Sequence, residues 1–127
     1  MIIALDTSTP TCHLFVYTDT WHEHQWDAGR GLAKGLLGFM QTAITEYGHF
    51  PEDVTGIISL QGPGSYTGLR IGITVLNTIA SAQAIPIVGV TGEDWLAAGL
   101  VRLNAEQNDR LVMPEYGGEP HITTPRK

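Results

Sequence analysis

The chain has 127 residues, 43% of them hydrophobic and 16% charged, a length too short for two full lobes around a deep cleft and a composition that excludes a disordered chain. Seven basic against thirteen acidic residues leave a net charge of −6, with Arg126 and Lys127 at the very end, so no basic stripe remains to release counterions from a phosphate backbone and direct nucleic-acid binding is not expected. A single cysteine, Cys12, permits no internal disulfide, and no long apolar run or leader pattern precedes Asp6, so the expectation is a soluble cytoplasmic protein with no membrane span.

Ile2 to Leu5 is a short apolar run ended by Asp6 and the turn formers Thr7-Ser8-Thr9-Pro10, which predicts a strand buried on both faces. Cys12 to Tyr17 is rich in β-formers, and Thr18-Asp19-Thr20 turns the chain into Trp21 to Trp26, giving an antiparallel meander. In that third strand Trp21, Glu23 and Gln25 share one face, and His22, His24 and Trp26 the other. Residues 29 to 48 carry a helical pattern with Leu32, Leu36, Phe39, Met40, Ala43 and Tyr47 on one side and Gly48 as terminator. Gly56 to Leu60 is the next strand, followed by a glycine-rich loop and a helix running to about Ala84. Ile87 to Val90 is a fifth strand, a shorter helix spans Trp95 to Leu103, and Arg110 to Met113 reads as strand-like. Pro114, Pro120 and Pro125 mark the end as a tail. The order β-β-β-α-β-α-β with short links predicts an α/β single lobe on a mixed five-stranded sheet with flanking helices.

Both long helices lack the charged outer face that a helix on a protein surface normally shows. Between Val54 and Gly92 the only charged side chain is Arg70, and the outer side of that helix holds Arg70, Thr74, Asn77, Thr78 and Ser81. Opposite the core stripe of the first helix stand Gly31, Gly35, Gly38, Thr42 and Thr45, with Lys34 and Gln41 at the edge. Each interior glycine costs roughly 0.5–1 kcal/mol against alanine, so a stripe of three points to something that approaches the helix backbone closely. The two outer faces are expected to form a docking surface; the alternative is a solvent face that tolerates glycine.

The loop Gly62-Pro63-Gly64-Ser65-Tyr66-Thr67-Gly68 joins a strand to a helix N-terminus, a geometry suited to anions. It is not a Walker A loop, because Leu69-Arg70 replaces Lys-Ser/Thr. It also departs from the dinucleotide fingerprint and the nucleophile elbow. Asp6 and Thr7, with Gly64 and Ser65, form a weak candidate for holding nucleotide phosphate, but no second acid stands at another strand end, and Asp6 reads as a turn cap. His22 and His24 alone make no metal site, and Cys12 reads as a core thiol. A complete active site is therefore not expected.

The opening Ile-Ala-Leu-Asp-Thr-Ser-Thr-Pro-Thr, the run Gln-Gly-Pro-Gly-Ser-Tyr-Thr-Gly-Leu-Arg-Ile-Gly at 61–72, and Ile-Pro-Ile-Val-Gly-Val-Thr at 85–91 resemble the TsaB (YeaZ) family, as does the tail Pro-Glu-Tyr…Pro-His-Ile-Thr. The resemblance implies an actin-like, ribonuclease-H-like (ASKHA) lobe over residues 1–95, with 96–127 as a short helical segment and tail in place of the second lobe. It also implies a non-catalytic subunit that pairs through its N-terminal helices with a TsaD-like catalytic protein. That complex, with a TsaE-like ATPase, forms threonylcarbamoyladenosine on tRNA next to the anticodon. The contact residues implied are Gly31, Gly35, Gly38, Thr42, Arg70, Thr74 and Asn77. No cofactor is expected in this chain, ATP and metal belonging to the partners, and tRNA is met only indirectly. Where the family's first helix often begins near a His-Ser pair, this chain has Arg30-Gly31. Two alternatives are a homodimer through the same helices and a small nucleotide-binding or phosphotransfer enzyme using Asp6 and the 62–68 loop.

Overall fold

Alternation of buried and half-buried residues along Thr11–Tyr17 (β2) sets the pleat of a sheet whose other members are Ile2–Asp6 (β1), Trp21–Asp27 (β3), Gly56–Leu60 (β4) and Ile87–Val90 (β5). The computed structural model describes residues 1–116. The five strands lie in the order β3-β2-β1-β4-β5. β1 runs antiparallel to β2, and β2 to β3, while β1–β4 and β4–β5 pair parallel. The short hairpin at 18–20 permits the antiparallel pairs, and a helix carries each parallel crossover.

One face of the sheet presents Ile3, Leu5, Cys12, Leu14, Val16, Ile57 and Ile87 to two helices, Leu32–Ile44 (α1) and Tyr66–Gln83 (α2). The opposite face buries Ala4, Ile58, Val88 and Val90 under Trp95 of α3, Trp95–Asn104. Gly99 of α3 sits against Ile58, and Gly56 of β4 meets Leu103, so the third helix lies close upon β4. α1 is preceded by one 3-10 turn at Gly29–Gly31 and stops at Ile44, earlier than the expected Gly48; turns at residues 45–47 carry Tyr47 back onto β3. α2 ends at Ala84, which takes the left-handed φ of 55° while its N–H closes onto Ala80 and Ser81.

The strand expected at Arg110 to Met113 does not form. Residues 107–116 instead make an extended strap along the β5 edge and the flank of α2. Side chains fasten it: Asn108 Oδ1 accepts from Ile87 N–H at 3.1 Å, Asp109 from Gly89 N–H at 2.8 Å, and Gln61 Nε2 donates to the Met113 carbonyl at 2.7 Å. Arg102 pairs with Asp109 and also donates to the Gly89 carbonyl. A parallel edge strand left open would invite pairing with another chain; here the strap covers it. Pro120 and Pro125, and the Pro-His-Ile-Thr part of the tail, lie outside the described residues.

Candidate functional site

α1 turns Leu32, Leu36, Met40, Ala43 and Ile44 inward, which leaves Ala33, Lys34, Leu37, Gly38, Gln41 and Thr42 exposed. Leu37 is 55% exposed. On α2, Tyr66, Thr67, Arg70, Thr74 and Thr78 are exposed, and Ile71 and Val75 half-buried. Between the helices runs a groove of about 370 Å³ lined by Ala33 and by Thr67, Arg70, Ile71, Thr74 and Val75. Arg70 lies over the Tyr66 ring at 5.4 Å and donates to its hydroxyl at 3.3 Å. The face carries Arg30, Lys34 and Arg70, and residues 28–45 and 54–92 contain no acid. A surface of one sign, with apolar residues in its groove, is suited to binding and supplies no acid–base pair for chemistry.

Of the residues expected to meet a partner, Gly31, Gly38, Thr42, Arg70 and Thr74 do lie on this exposed face. A Cβ added at Gly31 or Gly38 would meet nothing within 4 Å. Gly35 is different: a Cβ there would stand 2.7 Å from the Trp26 ring. The close approach that this glycine permits is made by the chain's own β3, with Trp26 tilted against Phe39 at 5.3 Å. Asn77 is also engaged internally, its side-chain amide bonded to the backbone of Val112. Leu37 and Tyr66, absent from the expected contact set, are the largest exposed apolar side chains on the two helices. Leu37 lies on the flank of the wheel, outside both the core stripe and the glycine stripe read from the sequence, so neither pattern assigned it a role.

The weak nucleotide candidates Asp6, Thr7, Gly64 and Ser65 do come together, and their contacts are mutual. Asp6 Oδ1 accepts from the Ser8 N–H at 2.8 Å and the Ser8 hydroxyl at 2.6 Å, a turn cap as expected. Thr7 is buried, and its hydroxyl donates to the Gly68 carbonyl at 2.7 Å. Ser65 N–H donates to the Ser8 carbonyl at 2.9 Å, and Ser65 Oγ caps α2 by accepting from Gly68 N–H at 3.2 Å. A Cβ at Gly64 would strike Ser8, and at Gly68 or Gly72 it would strike Thr7. The spacing of these three glycines is thus the footprint of the 6–9 turn across the start of α2. Beside it lies a cavity of about 420 Å³ lined by Thr9, Arg30, Ser65, Thr67 and Ile71 among others.

Among the described residues no three His, Cys, Asp or Glu side chains are grouped to hold a metal, and no helix is long and apolar enough to cross a membrane. His22 and His24 face Tyr47: His24 Nε2 lies 2.7 Å from its hydroxyl, and the His22 ring stands 4.9 Å from its ring. His13 holds Glu23 at 2.8 Å, and that hydrogen bond, with one from Gln25, keeps the Glu23 carboxyl below its usual range. Burial, and secondarily the charge of Asp6, pushes the Cys12 thiol up to about 12, so it is a core side chain and not a nucleophile.

The family model described as "TsaD: tRNA N6-adenosine threonylcarbamoyltransferase" matches residues 26–113. The chain is 32% identical over 104 residues to the tRNA threonylcarbamoyladenosine biosynthesis protein TsaB of Escherichia coli (strain K12), covering 81% of this chain and 45% of that protein. It is 42% identical over 66 residues to TsaB of Bacillus subtilis (strain 168), covering 52% of this chain and 27% of the relative. Its fold is similar to YeaZ from Pseudomonas aeruginosa, with a TM-score of 0.66 and 30% identity over 82% of this chain and 49% of that one. The chain therefore spans about half the length, or less, of these relatives. The mixed five-stranded sheet with helices on both faces is the actin-like, ribonuclease-H-like fold of those neighbours. With the family model matching most of its length and curated relatives matching 81% and 52% of it, the chain belongs to the TsaD family and, within it, to the TsaB (YeaZ) group.

Proposed function

We propose that this chain is a non-catalytic subunit of the machinery that forms threonylcarbamoyladenosine on tRNA, docking through α1 and α2 onto a TsaD-like catalytic protein. The observation that carries this reading is the outward face of the two helices. It exposes Leu37 beside a groove floored by Ile71 and Val75, and it bears cations but no acids. Burying one leucine of that kind is worth about 1.5–3 kcal/mol. In the same reading ATP and metal reside on the partner subunits, a TsaE-like ATPase joins the assembly, tRNA is met through the partners, and the work is done in the cytoplasm. Light scattering on a sizing column tests it, with the chain alone and mixed with the TsaD-like protein of its own organism. A one-to-one complex that Leu37→Asp abolishes supports the reading; a chain that ignores the partner overturns it.

A second reading, a small nucleotide-binding or phosphotransfer protein, is favoured by the cavity beside Ser65 and Thr67. ATP titration of the isolated chain decides it: affinity in the micromolar range, abolished by Asp6→Asn, would replace the subunit reading.

A further inference from the structure

The two edges of the sheet end differently. Ile57 N–H donates to the Pro86 carbonyl and Gln61 N–H to the Val90 carbonyl, so residues 86, 88 and 90 face β4 and Ile87 and Gly89 point their backbone groups off the β5 edge. Every one of those groups is satisfied. Ile87 N–H donates to Asn108 Oδ1 and its carbonyl accepts from Asp109 N–H, while Gly89 N–H donates to Asp109 Oδ2 and its carbonyl accepts from Arg102. At the other edge Ala28 N–H donates to the Pro10 carbonyl and Thr18 N–H to the Thr20 carbonyl. With the β2–β3 register, this makes His22, His24 and Trp26 the residues that exchange bonds with β2. Trp21, Glu23, Gln25 and Asp27 therefore turn their N–H and C=O groups outward, and no hydrogen bond among the described residues reaches them. Their side chains are tied back and do not fold over the gap: His13 holds Glu23 at 2.8 Å, Gln25 donates to Glu23 at 3.0 Å, and Thr11 donates to Asp27 at 2.9 Å. β3 keeps an unbroken register over its length and contains no proline, lysine or bulge, the devices that usually blunt an edge strand.

The sequence of this bare edge is complementary to itself. Two copies related by a two-fold axis through the sheet pair antiparallel, and only registers that set outward-facing residues opposite one another form bonds. The register centred on His24 opposes Glu23 with Gln25 and Trp21 with Asp27 of the second copy, over the full length of both strands. On the side of the sheet that faces α1 and Tyr47 it opposes His22 with Trp26, in pairs without backbone bonds, where side chains stand about 4.5–5.5 Å apart at Cβ. His24 meets its own copy on the axis, its Nε2 already engaged by the Tyr47 hydroxyl at 2.7 Å. Centring on Glu23 instead sets Glu23 against itself, and centring on Gln25 sets Glu23 against Asp27. Both alternatives oppose carboxylates and shorten the ladder. Pairing through β3 also closes the assembly, because the joined sheet then ends on both sides at a β5 edge whose groups are satisfied.

We propose that β3 is a self-recognition edge, at which two copies of the chain join through Trp21–Asp27 into one continuous sheet in the register centred on His24. The inference stands apart from the docking reading, since it uses none of the residues that line the groove between α1 and α2. Sedimentation equilibrium of the full chain over a concentration series tests it, together with amide hydrogen exchange in dilute and concentrated samples. Gln25 is exposed and its N–H points outward, so Gln25→Pro removes an edge donor without touching a β2–β3 bond. Self-association should weaken by at least about tenfold in that variant. Gln25→Glu sets a carboxylate opposite Glu23 of the second copy and should weaken association, whereas Gln25→Lys sets an ammonium there and should strengthen it. Melting of dilute samples verifies that each variant is folded, and the opposite signs of the Glu and Lys variants carry the test if the proline variant is not. In the wild type, exchange at the Glu23 and Gln25 amides should slow as concentration rises. A chain that stays monomeric throughout overturns the proposal, as does a dimer whose β3 amides gain no protection or one that Leu37→Asp dissociates and Gln25→Pro does not. Equal responses to Gln25→Glu and Gln25→Lys overturn the register. Protection of the β3 amides only when the TsaD-like protein of the same organism is added overturns the choice of a second copy.

Discussion

Asn77 holds Val112 with both ends of its side-chain amide: Oδ1 accepts from the Val112 N–H at 2.9 Å and Nδ2 donates to the Val112 carbonyl at 3.0 Å. The two residues lie 35 positions apart in sequence, one on α2 and one on the strap, and the pair imitates a rung of β-ladder where no strand exists. Val112 joins the core beneath α2 at 2% exposure, so this polar clasp and apolar burial act on the same residue. Replacing Asn77 with alanine leaves a partly buried donor and acceptor unpaired, at a cost of about 1–3 kcal/mol. Urea denaturation should register that loss. Hydrogen exchange at the Val112 amide should accelerate more than exchange within β1, because the strap opens before the sheet does.

The glycines of α1 look equivalent in sequence but respond in opposite directions to substitution. Gly38 is exposed with open space at its Cβ position, so Gly38→Ala should stabilise by about 0.5–1 kcal/mol through helix propensity. Gly35→Ala drives a methyl into the Trp26 ring, 2.7 Å away, and should destabilise by about 1–3 kcal/mol. Thermal melts of the two variants decide the point. Trp26 offers a second readout, since its displacement from Gly35 and Phe39 shifts its fluorescence.

Acid should release the strap from β5. The hydrogen bond from Arg102, and secondarily that from the Gly89 N–H, holds the Asp109 carboxyl below the ordinary aspartate value of 3.8. A depressed folded value means that the stabilisation is fully present above the ordinary value and is lost as pH falls through the lowered one. Exchange at the Gly89 amide should therefore be insensitive to this clasp near neutrality and gain extra opening only in strong acid. In Asp109→Asn that acid-dependent step should be absent. A wild-type protein whose β5 edge opens at neutral pH would contradict the assignment.

Cys12 should be unreactive in the native protein. Its thiol is fully buried and pushed up to about 12, first by burial and then by the charge of Asp6. The thiolate fraction at neutral pH is accordingly negligible. Ellman's reagent should label it only at the rate of global unfolding, and denaturant should restore ordinary reactivity.

The junction of the 6–9 turn with α2 is as tightly set as the strap. Thr7→Val keeps the shape and removes the hydroxyl that donates to the Gly68 carbonyl. The expected loss is about 1 kcal/mol or more, read in the denaturation midpoint. Gly72→Ala should cost more, because its Cβ collides with the Thr7 side chain and neither element can yield without unpacking the other.

The sequence by itself determined the order of the five strands and three helices, the face of each strand, the C-terminal end of α2, the extent of β5, and the Asp6 turn, since each depends on periodicity or capping within a few neighbouring residues; the start of α2 at Tyr66, inside the stretch read as loop, was not among them. The sparsely charged outer faces of α1 and α2 were legible for the same reason. Only the tertiary structure decided what those faces meet. A helical wheel treats α1 as isolated, so it cannot register that Trp26 of β3 already covers Gly35. It likewise cannot see that Val112 occupies Asn77, or that the 6–9 turn occupies Gly64, Gly68 and Gly72. The strap has no periodic signature because side-chain clasps and isolated backbone bonds, not a continuous ladder, hold it. Periodicity reports which side of an element is apolar; which atoms fill the space above a glycine is fixed by contacts between segments distant in sequence, and those exist only once the chain has closed on itself.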